Sequence, residues 1–384
     1  MTDATFNNKE KLTKNMKKRY LVGLGLIVVL LVGMNFLIFS NKSNDLEIGV
    51  IGTLTGIGSF FGQQEVRGLE IAKEIINSEG GVNGRNIELI VEDSQTKNEL
   101  TVSAFNKLSN LDGVKFIVGD SWNSNSGALV PLLEDKVLAI SPTAALSSLT
   151  KDDLFFRTVP SIKDMSYYLA NYAYDNNIET VGIVSCTFSF CTEHADYFTE
   201  EFERLGGDVV ETQIIQLGQE DVKTELTKIQ KKNPQAVFIP ISSTGMVNPL
   251  KQIKEFGMDV TILGGFGTES GALTKDYADI SEGIIYPYFY DLEISTLEGT
   301  KFKEAYSKKY GSYPDSVAVN AYDALRVIAD AIEKVGEDPV KVKEYILTQS
   351  YDLAGGKISF DQNGDAEKII FMKATKSGKF VRIN

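Results

Sequence analysis

The sequence predicts an α/β protein built as two successive lobes, and three observations carry that reading. Short β-branched runs alternate with amphipathic helical stretches from Glu47 almost to the end of the chain. About 340 residues follow the N-terminal segment, more than one hydrophobic core usually holds. The alternation also restarts near Thr180, although no internal repeat and no low-complexity tract is visible.

The first unit sets the pattern. It reads strand EIGVIG (47–52), loop TLTGIGSFFG (53–62), helix QQEVRGLEIAKEIIN (63–77), a glycine-rich turn, and strand IELIVED (87–93). Val66, Leu69, Ala72 and Ile76 recur at steps of three, three and four, one apolar stripe facing a sheet. Gly80 and Gly81 supply the left-handed backbone that a helix end often needs. In such a βαβ unit, ligands bind in the loop beyond the strand's C-terminal end. This loop has no Gly-x-Gly-x-x-Gly and no Gly-Lys-Ser/Thr to hold a phosphate. It fits capture of a small molecule without its transformation.

Later elements follow suit. KFIVG (115–119), VLAIS (137–141), TVGIVS (180–185), QAVFIPI (235–241) and TILGG (261–265) read as parallel strands buried on both faces. Ala321, Leu325, Ile328, Ile332 and Val335 form a second helical stripe.

Ahead of this body, residues 20–41 carry no charge. About 20 apolar residues at ~1.5 Å each span a bilayer core of ~30 Å. Lys9, Lys11, Lys14, Lys17, Lys18 and Arg19 precede the segment, and only Lys42 follows closely. The positive-inside rule therefore makes 1–19 a cytoplasmic basic segment, 20–40 a transmembrane anchor, and the bulk extracytoplasmic. A cleaved signal peptide, and so a secreted protein, is the rival reading. The bulky Phe36-Leu37-Ile38-Phe39 speaks for the anchor.

Composition narrows the function. A net charge of −13 argues against nucleic acid and anionic membrane surfaces as partners. Cys186 and Cys191, the only cysteines, are either two thiols or a local disulfide staple. With His194 they make a poor metal site, three close donors without a fourth, and no cofactor is expected. An enzyme reading has little to stand on. There is one histidine, and Asn123 stands where a Gly-x-Ser-x-Gly elbow around Ser121 needs its second glycine.

From Asp45 onward the chain resembles the leucine/isoleucine/valine-binding family, the type I periplasmic binding proteins of ABC importers. The shared pattern is Leu54-Thr55-Gly56, Gly62, Gly68, Asn77, Gly80-Gly81, Gly84 and Asp93. It continues through Gly119, Ser124, Ser141-Pro142, Arg157, Gly257, Gly283, Ala321-Tyr322-Asp323-Ala324 and Phe360-Asp361 with Gly364-Asp365. The resemblance implies a type I periplasmic-binding-protein fold, two Rossmann-like lobes joined by three crossover strands. The crossings are expected at FFRTVPS (155–161), at IIYPYFY (284–290) and near Gly364. Lobe 1 is then 45–160 plus 289–365, and lobe 2 is 161–288 plus 366–384. DQNGD (361–365) lacks the ligand placement of an EF-hand and reads as a turn. No cysteine ends the apolar segment, so the lipid anchor common in this family is missing.

The resemblance also implies a site. The family's carboxylate-binding hydroxyl maps to Asn123 or, one step on, Ser124, at the start of a helical run where backbone N–H groups favour an anion. Simple helix capping is the competing role, and the two can coexist. Thr143, Ala144 and Ala145 occupy a second ligand loop, in which Ala145 replaces the usual hydroxyl. Phe61 and Phe190 stand at aromatic cleft positions, and Trp122 is either a ligand wall or a core residue. Ser242 replaces an aromatic hydrogen-bonding residue, and Phe266 replaces the acidic residue that receives an α-amino group. Glu269 has the wrong spacing to take over. A desolvated ammonium without a counter-charge costs several kcal/mol, so a standard α-amino acid is a poor fit. The expectation is a monomeric solute-binding protein that delivers a small ligand to an ABC permease. The alternatives are a membrane-tethered sensor or an α/β enzyme.

Overall fold

A computed structural model describes residues 44–151, 153–269 and 271–383. The predicted basic segment 1–19 and anchor 20–40 lie outside the described residues. Among those described, no helix is long and apolar enough to cross a membrane.

Two large sheets organise the body. The first runs β2-β1-β3-β4-β5, built from β1 (Leu46–Gly52), β2 (Ile87–Asp93), β3 (Phe116–Gly119), β4 (Leu138–Ser141) and β5 (Phe155–Arg157). Every pairing in it is parallel. The second contains β6 (Thr180–Cys186), β7 (Asp208–Ile215), β8 (Ala236–Ile239), β9 (Thr261–Gly264) and β10 (Ile285–Tyr288) in the order β7-β6-β8-β9-β10. That order repeats the first sheet's, so the two halves share a topology that no residue repeat reveals.

The C-terminal region adds what the sequence pattern did not announce. β11 (Ser350–Leu353), β12 (Gly356–Phe360) and β13 (Ala366–Glu367) make a small third sheet. The hairpin of β14 (Phe371–Lys376) and β15 (Lys379–Arg382) then extends the second sheet antiparallel to β10.

Hydrophobicity explains the strand order. All four residues of β3, β4 and β8 are buried, as befits central strands covered on both faces. β7 sits at an edge and is mostly polar or partly exposed. Helices α1 (Ser59–Ser78), α2 (Asn98–Asn106) and α3 (Asn123–Leu129) alternate with the strands of the first sheet. The α1 stripe is buried at Leu69, Ala72 and Ile76, in one core with Ile48 and Val50 of β1. Gly80 and Gly81 beyond its end both take positive φ, and Gly81 N–H bonds the Ile76 carbonyl at 2.9 Å. The opposite face of the sheet packs Ile51, Ile117 and Ala139 against Phe105 and Leu129.

The second sheet carries α4 (Ile162–Asp175), α5 (Ser189–Leu205), α6 (Lys223–Gln230) and α7 (Ser243–Glu255). Between β10 and β11 come α8 (Leu297–Tyr310), α9 (Ser316–Val335) and α10 (Pro339–Ile346), and α9 packs along α1.

Three passages link the sheets. Phe155–Arg157 first completes the edge of the first sheet, and the chain then turns into α4. It leaves β10 through Phe289 and Tyr290, and returns from β13 to β14 past Lys368. Two buried cations mark these passages. Lys368 pairs with Asp323 at 3.4 Å and donates to Asn320 Oδ1 at 2.8 Å. Arg157 pairs with Asp365, which the 361–365 turn presents through the Asp365 N–H bond to Asp361 Oδ1 at 2.8 Å.

Candidate functional site

In a sheet of order 2-1-3-4-5 the switch point lies between strands 1 and 3, and ligands bind beyond the C-terminal ends there. Here that means the loops after β1 and β3 in one sheet, and after β6 and β8 in the other. Phe61, Trp122, Asn123, Phe190 and Ser242 all fall in or just after these four loops. Thr143 and Phe266 follow the neighbouring strands β4 and β9.

The near loops are held by hydrogen bonds. Asp93, at the end of β2, accepts from the N–H groups of Leu54 and Thr55 at 3.0 and 3.2 Å, and from the Thr55 hydroxyl at 2.6 Å. Partial burial would raise this carboxyl, but the Thr55 hydroxyl and the backbone donors outweigh it and hold it below the usual range. Thr53 Oγ1 bonds the Gly58 carbonyl, and Thr96 Oγ1 accepts from Gly58 N–H. The helix starts earlier than the sequence pattern suggests, so Phe60, exposed, and Phe61, half-buried, stand in the first turn of α1 just after this fixed loop, with the Phe61 ring 6.0 Å from Trp122.

Beneath the loop after β3 lie two buried acids. Asp120 accepts from Thr101 Oγ1 at 2.9 Å and Asn125 Nδ2 at 3.0 Å, and burial still pushes its pKa up. Ser121 donates to Glu65, whose carboxyl burial raises well above its ordinary value, with Asp120 adding to the rise.

Asn123 is oriented by the second loop. Its Oδ1 accepts from Ala145 N–H at 2.8 Å and Leu146 N–H at 3.3 Å. The carboxamide oxygen thus occupies two amides that an anion would otherwise use, and leaves the Nδ2 group as the free donor. Ser124 is exposed beside it. Thr143 Oγ1 donates to the Ser121 carbonyl at 2.8 Å, and Ala144 N–H bonds Ser141 Oγ at 3.0 Å. Ala144 and Ala145 are buried. Behind this loop Arg157, fully buried, donates to the carbonyls of Leu146 (2.8 Å) and Ala144 (3.4 Å) and to Thr150 Oγ1.

The far loops after β6 and β9 are held mainly by a disulfide and rings. Cys186, ending β6, is disulfide-bonded to Cys191 in the first turn of α5, with Cα atoms 5.3 Å apart. Phe190 lies between them in sequence. Its ring is 5.2 Å from Phe266 and 4.9 Å from His194, while Phe266 also meets Phe289 at 6.2 Å. Ser242 precedes α7 and makes no side-chain cap bond. Glu269 is committed elsewhere, to Lys373 Nζ at 2.8 Å and Tyr286 OH at 2.8 Å. Glu269 is thus not free to stand in for Phe266.

The structure therefore groups Phe61, Trp122, Asn123, Thr143, Ala144 and Ala145 on one side, and Phe190 with Phe266 on the other. Among the described residues no ring contact joins the two groups. One hydrogen bond does link these sides: Ser147 N–H, beyond the near loop, donates to Glu193 Oε2 of α5 at 3.0 Å. Sequence reasoning singled out neither Glu193 nor the Glu65–Ser121 pair, because partners 46 and 56 residues apart leave no local signal. An open depression of about 750 Å³ lies elsewhere, at the N-terminal end of β3, lined by charged groups such as Lys115, Lys136 and Glu344. It offers no enclosed apolar wall.

Two doubly wound sheets of one topology, with switch-point loops furnished by donors on one and rings on the other, define a two-lobed α/β binding protein. The sequence profile described as "Periplasmic binding protein" matches residues 45–378, and the chain belongs to that family. A relative named leucine-, isoleucine-, valine-, threonine- and alanine-binding protein, from Pseudomonas aeruginosa, is 28% identical over 88% of this chain and 91% of its own length. A leucine-binding protein of Thermotoga maritima superposes with a TM-score of 0.79 at 25% identity, over 88% of this chain and 98% of that one. A solute-binding protein of R. palustris in complex with benzoate shares the fold at TM-score 0.77 and 18% identity, over 89% and 96% of the two chains. The fold alone does not fix the ligand.

Proposed function

We propose that the protein is an extracytoplasmic solute-binding protein that captures a small carboxylate-bearing ligand between two hinged lobes and hands it to an ABC importer. The lobes in this reading are 45–160 plus 289–365 and 161–288 plus 366–384, with residues 20–40 as the membrane tether. The observation that carries it is the pairing of two switch-point clusters, one rich in donors and one aromatic. The carboxylate is taken by Asn123 Nδ2 and the Ser124 hydroxyl, which the near loop leaves free. The apolar body lies against Phe61 and Trp122, and then against Phe190 and Phe266 as the lobes close. Ligand shifts the lobes only by its greater affinity for the closed state.

Relatives named for branched-chain amino acids support an amino-acid-like ligand. Phe266, with Glu269 paired to Lys373, favours one without an uncompensated ammonium: a carboxylate, an amide or a masked amine. Family membership and the relatives' names also weigh against an enzyme.

A thermal-shift panel of amino acids, carboxylates and amides tests the reading. Saturation at about 100 times Kd adds about 2.7 kcal/mol of stability. Asn123→Asp keeps the oxygen that pins Ala145 and Leu146 but replaces the free donor with a negative charge. The variant is expected to fold normally and lose carboxylate binding tenfold or more. Unchanged binding by this variant would remove Asn123 from the site, and no response to any panel member would overturn the proposal.

A further inference from the structure

His194, the chain's only histidine, lies directly behind the far aromatic wall. It is 1% exposed. Its Nδ1 is 2.7 Å from Ser166 Oγ, while Nε2 is buried with no hydrogen-bond partner. Rings of Phe190, Phe266 and Phe238 surround it at 4.9, 5.5 and 6.4 Å, and burial lowers its pKa to about 3, so the imidazole is neutral. A core aliphatic would fill this place without stranding a polar atom, and stranded buried polar atoms are rare because each costs stability.

The direction of Nε2 is informative. A Cβ built on Gly265 would lie 3.4 Å from it, so it looks onto the backbone at the C-terminal end of β9, where Phe266 begins. A Cβ on Gly267 would lie 3.4 Å from Phe190 Cζ and 3.5 Å from the Ser242 Cα. Phe266 is thus a single ring set between two residues without side chains, whose backbone has unusual freedom to turn. Phe190 and the half-buried Phe266, the two rings assigned to the ligand face, both pack against this imidazole.

We propose that His194 is a polar specificity determinant of the far wall: when the Phe266 ring turns aside, Nε2 hydrogen-bonds a hydroxyl at the end of the ligand remote from its carboxylate. A hydroxyl both donates and accepts, so it suits either imidazole tautomer. Discrimination for a ligand with the hydroxyl over one without it is then strong, because a site built to bond a polar group rejects an analogue that lacks it. The inference rests on the cleft reading above and adds the chemistry of the ligand's far end.

The lone histidine makes the test direct. The full chain in mild detergent, with ¹⁵N-labelled imidazole, gives one pair of ring-nitrogen resonances. The probes are two matched pairs: phenylacetate with 4-hydroxyphenylacetate, and 3-phenylpropionate with its 4-hydroxyphenyl counterpart. Calorimetry reads binding, and the Nε2 resonance reads contact. The hydroxylated member of a pair is expected to bind at least tenfold tighter and alone to move the Nε2 resonance. His194→Asn retains a partner for Ser166 but places nothing at Nε2, and it should bring the two members within twofold. Binding heat with an unmoved Nε2 resonance, or a preference that survives His194→Asn, would reduce His194 to a core residue and leave the cleft reading standing. Absence of heat from these pairs and from the wider panel would remove the cleft reading and this inference together.

Discussion

The loops after β1, β3 and β4 keep their shape with a web of side-chain hydrogen bonds, whereas a disulfide and packed rings dominate around the loops after β6 and β9, where Thr268 Oγ1 adds a side-chain bond to the Gly265 carbonyl at 2.7 Å. On the near side Asp93, Asn123 and Arg157 each hold two or more loop groups, and Asp120 ties the loop after β3 to α2 and α3. On the far side Phe190 and Phe266 pack against the His194 ring, whose Nε2 has no partner, and Phe266 in turn meets Phe289. Polar networks are directional and resist small displacements, although Glu65 Oε1 and Asn125 Oδ1 in this one have no partner. Ring contacts prefer stacked or edge-on geometries but supply no hydrogen bonds to the loops. In the proposed function the near side acts as a cradle held by polar contacts and the far side as an apolar wall, a division suited to a clamp that binds first on one lobe and selects on the other.

The comparison breaks most visibly at Arg157. Its guanidinium is fully buried and joins Asp365 to the Ala144 and Leu146 carbonyls. Arg157→Met leaves Asp365 with only the Thr150 hydroxyl, at 2.7 Å, and removes the donor to both carbonyls, and breaking a buried pair typically costs about 3–5 kcal/mol. Urea unfolding should show a lower midpoint with an unchanged slope. A loss under 1 kcal/mol would mean the near loops do not depend on this network.

A pH series sharpens the contrast from the far side. His194 has a folded pKa of about 3 against 6.5 when exposed. Between these values the unfolded chain binds more protons than the folded one, so its contribution to stability is full above about pH 6.5 and is lost as pH falls toward 3. The loss reaches about 3 kcal/mol at pH 4. Carboxyls elsewhere titrate alike in both proteins, so the stability of His194→Asn relative to the unaltered protein should rise by about that amount between pH 7 and pH 4. A pH-independent difference would mean that the ring titrates normally and is not sealed behind the wall.

The sequence carried the strands and helix stripes, because burial on both faces leaves β-branched runs such as FIVG and LAIS, and one-sided burial leaves the Leu69–Ala72–Ile76 spacing. It carried the positions of the site loops for the same reason, since the loops simply follow those strands. Side-chain direction was another matter. Asn123 reads as a ligand donor, yet its oxygen faces inward to Ala145, a choice made by a loop 22 residues away. The β14–β15 hairpin joins the second sheet beside β10 only after more than eighty intervening residues, and its lysine-rich sequence resembles a surface tail although most of β14 is buried. His194 looked like a weak metal ligand because its neighbours in sequence are cysteines. Its neighbours in space are phenylalanines, drawn from α5, β8 and the loop after β9.

The finest division between the two sides lies at Phe266. If the near side fixes a carboxylate and the far wall chooses what accompanies it, the wall's lack of an acid should count against an ammonium and nothing else. Leucine and 4-methylpentanoate isolate that term, because they share a carboxylate and an isobutyl end and differ in the amino group. The unaltered protein is expected to bind leucine no better than the deaminated acid, with Kd above ~10 μM, roughly −7 kcal/mol. Phe266→Glu places a carboxylate on the wall, and one charge-assisted hydrogen bond is worth about 1.5–3 kcal/mol. Removing the ring also loosens Phe190, Phe289 and the packing over His194, which weakens every ligand. The ratio of the two affinities cancels that common loss, so calorimetry should show it moving toward leucine by about tenfold, while the affinity for 4-methylpentanoate falls. A ratio that stays fixed would mean the amino group never meets this wall. Tight leucine binding by the unaltered protein would mean that an acid already faces it, and Glu269, freed from Lys373 on closure, is the first group to test.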